Sequence, residues 1–340
     1  MKDRDFVETV EGMFFCIVGY LHPPHGYTAY LKYVPSSHGK WRRNNLGYSR
    51  VLDYYHVTQM ENTYEFLNEH FPEYLFFCSV RNIRISTVPI GKVKTKYVAE
   101  EGLGKIYSET PSDHLHKTLN DFVDCLLDNT VLSIHDLGLT GSILTGMYNP
   151  AFSDIDLTVH GGKASLAVRD FLLSERKEGG RISISGRQNE LEWVRGHAKR
   201  FHLTGEDVKF LTERRWNYGL FDGRYFSVHT IRKKEEVKEK YGDYTYRKKG
   251  IVTGTAEISC ANDSFFLPAI YGLTNVSSDS DADIAQLVSY EVFFSGVFDE
   301  GDVISFHGVL EEVSGERFFH QVVVGGAGYG KAYVKFYLKP

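Results

Sequence analysis

The chain is predicted to be an α+β protein in three successive parts. These are an N-terminal α+β domain over residues 1–108, a middle domain over residues 109–235 where helices and strands alternate, and an all-β barrel or sandwich over residues 236–340. Three observations carry this reading. A length of 340 residues exceeds what one hydrophobic core normally covers. Short Val/Phe/Tyr-rich runs broken by Gly, Pro, Asp and Ser dominate the first and last thirds, whereas helical periodicity concentrates in the middle. Charge also changes sign along the chain. Residues 181–250 hold 17 Lys and Arg against 10 Asp and Glu, and residues 251–340 hold 4 against 12.

Hydrophobic content of 42% with 24% charged residues fits a folded soluble protein and argues against a disordered one. The segment from Met1 to Val10 is charged, and the apolar run Met13 to Val18 is far too short to span a bilayer, so no membrane association is expected. Cys16, Cys78, Cys125 and Cys260 are widely spaced among apolar neighbours and read as reduced core positions, which points to the cytoplasm.

In the N-terminal domain, Gly12 to Leu21 and Tyr27 to Val34 are aromatic-rich strands joined by the turn His22-Pro23-Pro24-His25-Gly26. A helix is expected from about Tyr54 to His70, with Val57, Met60, Tyr64 and Leu67 on one face, and strands at Tyr74 to Val80 and Ile83 to Val88. Between them, Lys40-Trp41-Arg42-Arg43-Asn44-Asn45 with Tyr48 and Arg50 mixes basic, amide and aromatic groups. That composition suits stacking and phosphate contact with RNA or DNA, and equally a solvated loop.

The middle domain opens with Thr110-Pro111, a helix cap followed by proline. Leu115, Leu119, Phe122, Val123, Leu126 and Leu127 then form one apolar stripe of a helix ending near Asn129, and Val131 to Leu137 reads as a buried strand. Gly141-Ser142 starts a short helix that Asn149-Pro150 ends. The next strand, Asp154 to Val159, places Asp154 and Asp156 on one face with Ile155 and Leu157 behind. Paired carboxylates repel each other and are usually supplied with a cation; a glycine turn at a helix start offers N–H donors to an anion. Helices follow at Lys163 to Ser174, Glu190 to Arg200 and Glu206 to Arg215. Asp222-Gly223 marks a hairpin between Trp216–Phe221 and Arg224–Ile231.

The last part holds strand-like runs at Gly250 to Cys260, Leu287 to Val297, Asp302 to Val313, Arg317 to Val324 and Lys331 to Leu338. Gly325 to Ala332 nearly spells a P-loop, but Ala332 replaces the required Ser or Thr and too little chain follows; it reads as a glycine-rich hairpin. Asp279, Asp281 and Asp283 alternate as in a calcium loop, yet Ile284 and Tyr290 occupy its Gly and Glu positions; they read as an acidic loop.

Gly-Ser, eleven residues, then Asp-x-Asp between apolar residues resembles the signature of the nucleotidyltransferase superfamily that includes DNA polymerase beta. The three-part layout is similar to that of uncharacterised archaeal predicted nucleotidyltransferases. A surface strand with two solvated Asp after an ordinary turn is the plain alternative. The resemblance implies a mixed-sheet nucleotidyltransferase core and Mg²⁺- or Mn²⁺-dependent transfer of a nucleoside monophosphate from an NTP to RNA, protein or a small molecule. It assigns Asp154 and Asp156 to the metal and Gly141 and Ser142 to the β- and γ-phosphates. Arg214 or Arg215 would neutralise developing charge.

The family's third carboxylate is expected on the strand Arg224 to Ile231, where this chain has Ser227, with His229 two residues on. Neutral His229 is then the candidate base, with Glu190, Glu192 and Asp222 the other places to seek a carboxylate. The competing reading is a nucleotide- or RNA-binding protein that keeps the fold without turnover. The basic segment 181–250 reads as phosphate-neutralising or as solvated helix faces, and the acidic tail is not expected to bind nucleic acid.

Overall fold

The computed structural model describes residues 1–51, 57–184, 190–325 and 331–337, without the side chains of residues 57–61, 178 and 190. The N-terminal sheet contains β1 (Phe6–Thr9), β2 (Phe14–Ile17), β3 (Gly26–Pro35), β4 (Trp41–Arg43), β5 (Leu46–Ser49), β6 (Leu75–Cys78), β7 (Ile83–Pro89) and β8 (Val93–Tyr97). Their order is β4-β5-β3-β2-β1-β8, with β7 also paired to β3 and β6 to β7. Helix α1 (Val57–His70) lies between β5 and β6; its expected first residues, 54–56, fall outside the described residues. Period-two alternation gives the sheet two faces. Val7, Phe15, Ile17, Ala29 and Leu31 bury one face with Leu67, while Phe6, Phe14, Cys16 and Tyr48 bury the other against the middle domain.

β1 lies within the charged segment Met1 to Val10, where the carboxylates of Asp5 and Glu8 are satisfied by partners distant in the chain. Asp5 Oδ1 accepts from Ala99 N at 3.0 Å, and Glu8 takes Lys94 Nζ at 2.7 Å and Arg43 at 3.0 Å. The Lys40–Arg50 stretch is not a loop. It forms the β4–β5 hairpin, turned by Asn44 and Asn45, both in the left-handed region at φ 48° and 65°.

α2 (Ala99–Ser108), at the end of segment 1–108, packs into the core of the middle domain, which runs α3 (His114–Asn129), β9 (Leu137–Leu139), α4 (Gly141–Leu144), β10 (Ile155–His160), α5 (Gly162–Glu178), β11 (Ile182–Ser183), α6 (Glu190–Phe201), α7 (Gly205–Arg214), β12 (Tyr218–Phe221) and β13 (Arg224–Ile231). The cap of α3 is Asp113, which accepts from His116 N at 2.9 Å, rather than Thr110. The expected strand from Val131 shrinks to β9, since Val131 is exposed and a 3₁₀ turn occupies Ile134–Asp136. The sheet order is β11-β12-β13-β10-β9. It is mixed: β10 runs parallel to β13 and antiparallel to β9. Asp222 and Gly223, at φ 46° and 78°, turn the β12–β13 hairpin that the Asp-Gly pair predicts.

The C-terminal strands are β14 (Thr245–Cys260), β15 (Ala269–Ser278), β16 (Ile284–Ser289), β17 (Val303–Ser314), β18 (Phe318–Val324) and β19 (Tyr333–Phe336). The run expected over Leu287–Val297 divides into β16 and a 3₁₀ turn, and β15 is additional to the predicted strands. The long β14 pairs with both β15 and β17, so the order β14-β15-β16-β18-β17 closes on itself into a barrel. Its single parallel pair, β16 with β18, gives the connectivity of five-stranded OB-type barrels.

Hydrophobic cores cross the three sequence-defined segments. Leu103, Leu115 and Leu139 share a core with Phe6, Phe14 and Tyr48, while Val194, Phe201, Val208 and Leu211 of α6 and α7 pack into the barrel core with Tyr271, Phe294 and Phe298. The protein is therefore α+β, built on three sheets among the described residues, and no described helix is long and apolar enough to cross a membrane.

Candidate functional site

Asp154 immediately precedes β10 and Asp156 is its second residue. The parallel register sets Asp156 beside Ser227 and Thr158 beside His229. Ser227 Oγ donates to Asp156 Oδ1 at 2.5 Å and stands 3.1 Å from His229 Nε2. Because the serine hydrogen goes to the carboxylate, His229 Nε2 must carry the hydrogen shared with Ser227 Oγ. The free lone pair of a neutral His229 is then on Nδ1. Four residues assigned from the sequence, Asp154, Asp156, Ser227 and His229, thus lie together across β10 and β13.

Gly141 is fixed by the same carboxylate. Its φ is +71°, and a β-carbon there would stand 2.4 Å from Asp156 Oδ2. Only glycine permits this approach. Ser142 is buried beside it, and Thr140 N donates to Asp156 O at 2.9 Å. The anion nearest the start of α4 is consequently the Asp156 carboxylate itself.

Electrostatics follow from this crowding. The protein packed around Asp154, and then Asp156, push its pKa up to about 6, against the opposing pull of Arg50 and Arg224. Arg224 is otherwise spent on the 150–153 turn, donating to Pro150 O at 3.0 Å. Enclosure, followed by the charges of Arg4, Lys32 and Arg215, holds His229 well below the ordinary histidine range, so it is neutral near pH 7.

The other assigned residues divide. Arg215 stays at the site, its guanidinium 5.2 Å from the Tyr218 ring and its charge felt by His229. Arg214 does not, being paired to Asp299 at 2.5 Å and Asp302 at 3.0 Å on the barrel side. Asp222 pairs with Arg181 at the hairpin tip and cannot serve as the missing carboxylate. Glu192 is exposed on α6, and the Glu190 side chain lies outside the described residues. Much of the basic segment is consumed by ion pairs, with Arg232 on Asp263, Lys233 on Asp136 and Lys249 on Glu312.

Sequence reasoning missed Arg4 and Lys32 at the site, and noted Arg50 only as part of a basic stretch. They come from the N-terminal part of the chain: Arg4 from just before β1, Lys32 from β3 and Arg50 from just after β5. The one available signal was Lys32 interrupting the apolar run Ala29–Val34 at strand period.

Asp154 and Asp156 are the two carboxylates here that could hold a cation, and two carboxylates suffice for Mg²⁺ only where other oxygens complete its shell. They do not make an all-protein cage: no group of three or more His, Cys, Asp and Glu is placed to hold a metal among the described residues.

No protein-family model matches the chain, and no solved structure matches it. The chain is similar to an uncharacterised protein of Methanocaldococcus jannaschii, at 29% identity over 333 residues, covering 96% of this chain and 95% of the relative.

Proposed function

We propose that the protein is a metal-dependent nucleotidyltransferase that moves a nucleoside monophosphate from an NTP to an acceptor hydroxyl or other nucleophile, releasing pyrophosphate. The observation that carries this is the Asp154–Asp156 pair at the start of β10, with Asp156 packed against Gly141 and bonded to Ser227 of the parallel β13, itself beside His229. Asp154 and Asp156 would hold Mg²⁺ against the triphosphate, where it neutralises charge on the transferring and leaving groups. Ser227 fixes the orientation of Asp156 through the hydroxyl bond, and His229 orients Ser227 through Nε2–H. Any proton taken from the acceptor by His229 goes to Nδ1.

Ser227 also favours a second reading. It occupies the position expected for a third carboxylate, which supports nucleotide binding with weak or no turnover. Incubation of the pure protein with each α-labelled NTP, Mg²⁺ or Mn²⁺, and total RNA or protein extract separates the two. Label transferred to an acceptor by the wild type and lost in Asp156→Asn supports the transferase. Mg²⁺-dependent NTP binding without transfer supports the binding protein, and an NTP-induced rise in Tm that is unchanged in Asp156→Asn opposes both.

A further inference from the structure

Residues 12–52 hold 5 Lys and Arg and not one Asp or Glu, and the β4–β5 hairpin within them lies along the Gly-Ser to Asp-x-Asp unit. Two contacts fix that placement. A β-carbon added at Gly146 would stand 3.7 Å from Arg43 Nε, and the Trp41 and Phe152 rings meet edge-on at 6.3 Å. Alternation along β4 then turns Arg42 to the other face, where it is exposed, as is Lys40 just before the strand. Among the described residues neither is in an ion pair, and β4 pairs with β5 alone, so its far edge is open. Phe152 is 46% exposed although its turn is tightly bonded: Asn149 O accepts from Phe152 N at 3.1 Å and from Ser153 N at 2.9 Å, and Arg224 donates to Pro150 O at 3.0 Å. Trp41 is a fixed wall beside it, its ring centroid 5.6 Å from that of Tyr33 and 4.4 Å from the Arg50 guanidinium. Two peptide units separate Phe152 from Asp154, so their α-carbons are no more than about 7 Å apart.

We infer that Phe152 and the open edge of β4 bind a single strand of nucleic acid, with a base stacked on Phe152 and phosphates on Lys40 and Arg42. That this strand is the acceptor rests on the transferase reading above; that it binds does not. Aromatic platforms beside cations hold single strands through chemistry that every nucleotide offers, a ring face and a phosphate. Unpaired bases alone present such faces, so a duplex fits the surface poorly. A lone exposed Phe needs no partner, and charge on an edge strand also discourages pairing of sheet edges. Neither accounts for an exposed ring on a tightly bonded turn, with a fixed tryptophan beside it and an acid-free stretch leading away, two residues from Asp154.

Fluorescence anisotropy of the full chain with a labelled single-stranded RNA of about 12 nucleotides, a span such surfaces cover, tests this without NTP. The wild type is expected to bind, and to prefer the single strand to the matching duplex. Phe152→Ala should weaken binding about ten-fold or more, and Phe152→Trp should retain it. Lys40→Gln combined with Arg42→Gln should flatten the slope of log affinity against log salt by about 1.4, roughly 0.7 for each phosphate contact removed. Asp156→Asn should leave binding undiminished. The altered side chains at 40, 42 and 152 are exposed, and a thermal melt of each variant checks its fold. No binding by the wild type, tighter binding of the duplex, or affinity unchanged in folded Phe152→Ala overturns the assignment. A single-stranded DNA of the same sequence tells whether the 2′-hydroxyl contributes; weaker or equal binding both support the surface. RNA binding lost in Phe152→Ala, with no label transferred from any NTP, keeps the surface and removes the transferase reading. Label transferred to protein, with no RNA binding, overturns the surface and leaves the transferase standing.

Discussion

Ser227 lies directly across the parallel β10–β13 pair from Asp156 and donates its hydroxyl hydrogen to Asp156 Oδ1. A carboxylate at position 227 would stand where that hydroxyl stands, beside an existing negative charge. Ser227→Asp is therefore expected to lower stability by about 1–3 kcal/mol in metal-free buffer, through like-charge repulsion in a half-buried site. Mg²⁺ should restore the loss and raise Tm more than it does in the wild type. Thermal melts with EDTA and with Mg²⁺ check this; a variant whose Tm ignores Mg²⁺ would show that residue 227 does not share a cation with Asp156.

Gly141 offers a sharper steric test. At φ +71°, with Asp156 Oδ2 only 2.4 Å from the position of an added β-carbon, Gly141→Ala combines backbone strain with displacement of the carboxylate. A loss of about 2 kcal/mol is expected in urea unfolding, the left-handed conformation alone costing about 1–2 kcal/mol. Nucleotide binding should weaken with it. Gly179, also at positive φ but with open space around it, is the control, and Gly179→Ala should cost less and leave binding intact.

His160 supplies a pH dependence away from the carboxylates. It is 3.1 Å from Glu100, yet burial outweighs that carboxylate and pushes its pKa down to about 4. Lys2 and Lys233 act in the same direction as burial, and Asp136 acts with Glu100 against them. The unfolded chain takes up this proton near pH ~6.5 and the folded chain only near pH 4. The contribution is thus complete above the unfolded value and declines as pH falls. Between pH 7 and pH 5 it should remove on the order of 2 kcal/mol of stability. Urea unfolding at the two pH values should show that difference shrinking in His160→Asn; an unchanged difference would mean that other groups set the acid sensitivity.

The barrel cannot be removed cleanly. Val194, Phe201, Val208 and Leu211 are buried against it, and Trp216 packs edge-on to Phe265 at 5.9 Å. A chain ending at residue 244 would expose that apolar surface, so it is expected to lose cooperative unfolding and to aggregate. A truncated chain ending near Gly250, at first sight a way to locate nucleic-acid affinity, would fare no better, since it severs β14. Circular dichroism melts check this, and a sharp wild-type-like transition in the shortened chain would show that α6 and α7 fold without the barrel.

Local chemistry was enough for some features. The turn at Asp222-Gly223, the strand alternation that pairs Asp154 with Asp156, and the Gly-Ser turn before them depend on neighbours a few residues away, and all were legible in the sequence. So was the strand from Arg224 to Ile231 that carries Ser227 and His229 on one face. These follow from backbone conformational preference and side-chain period.

Tertiary structure decided what long-range partners decide. β1 forms because Asp5 is satisfied by Ala99 and Glu8 by Lys94 and Arg43, partners 35 to 94 residues away. β14 closes a barrel only because β17 returns to its free edge. The same holds for the cations. Arg214 and Arg215 are adjacent and alike in sequence, yet one pairs with Asp299 and Asp302 while the other faces His229. Lys32, on another sheet, has its charge acted on by Asp156. Which charge meets which is set by packing, and packing is a property of the whole chain, whereas the turn and the alternating strand are properties of a few residues.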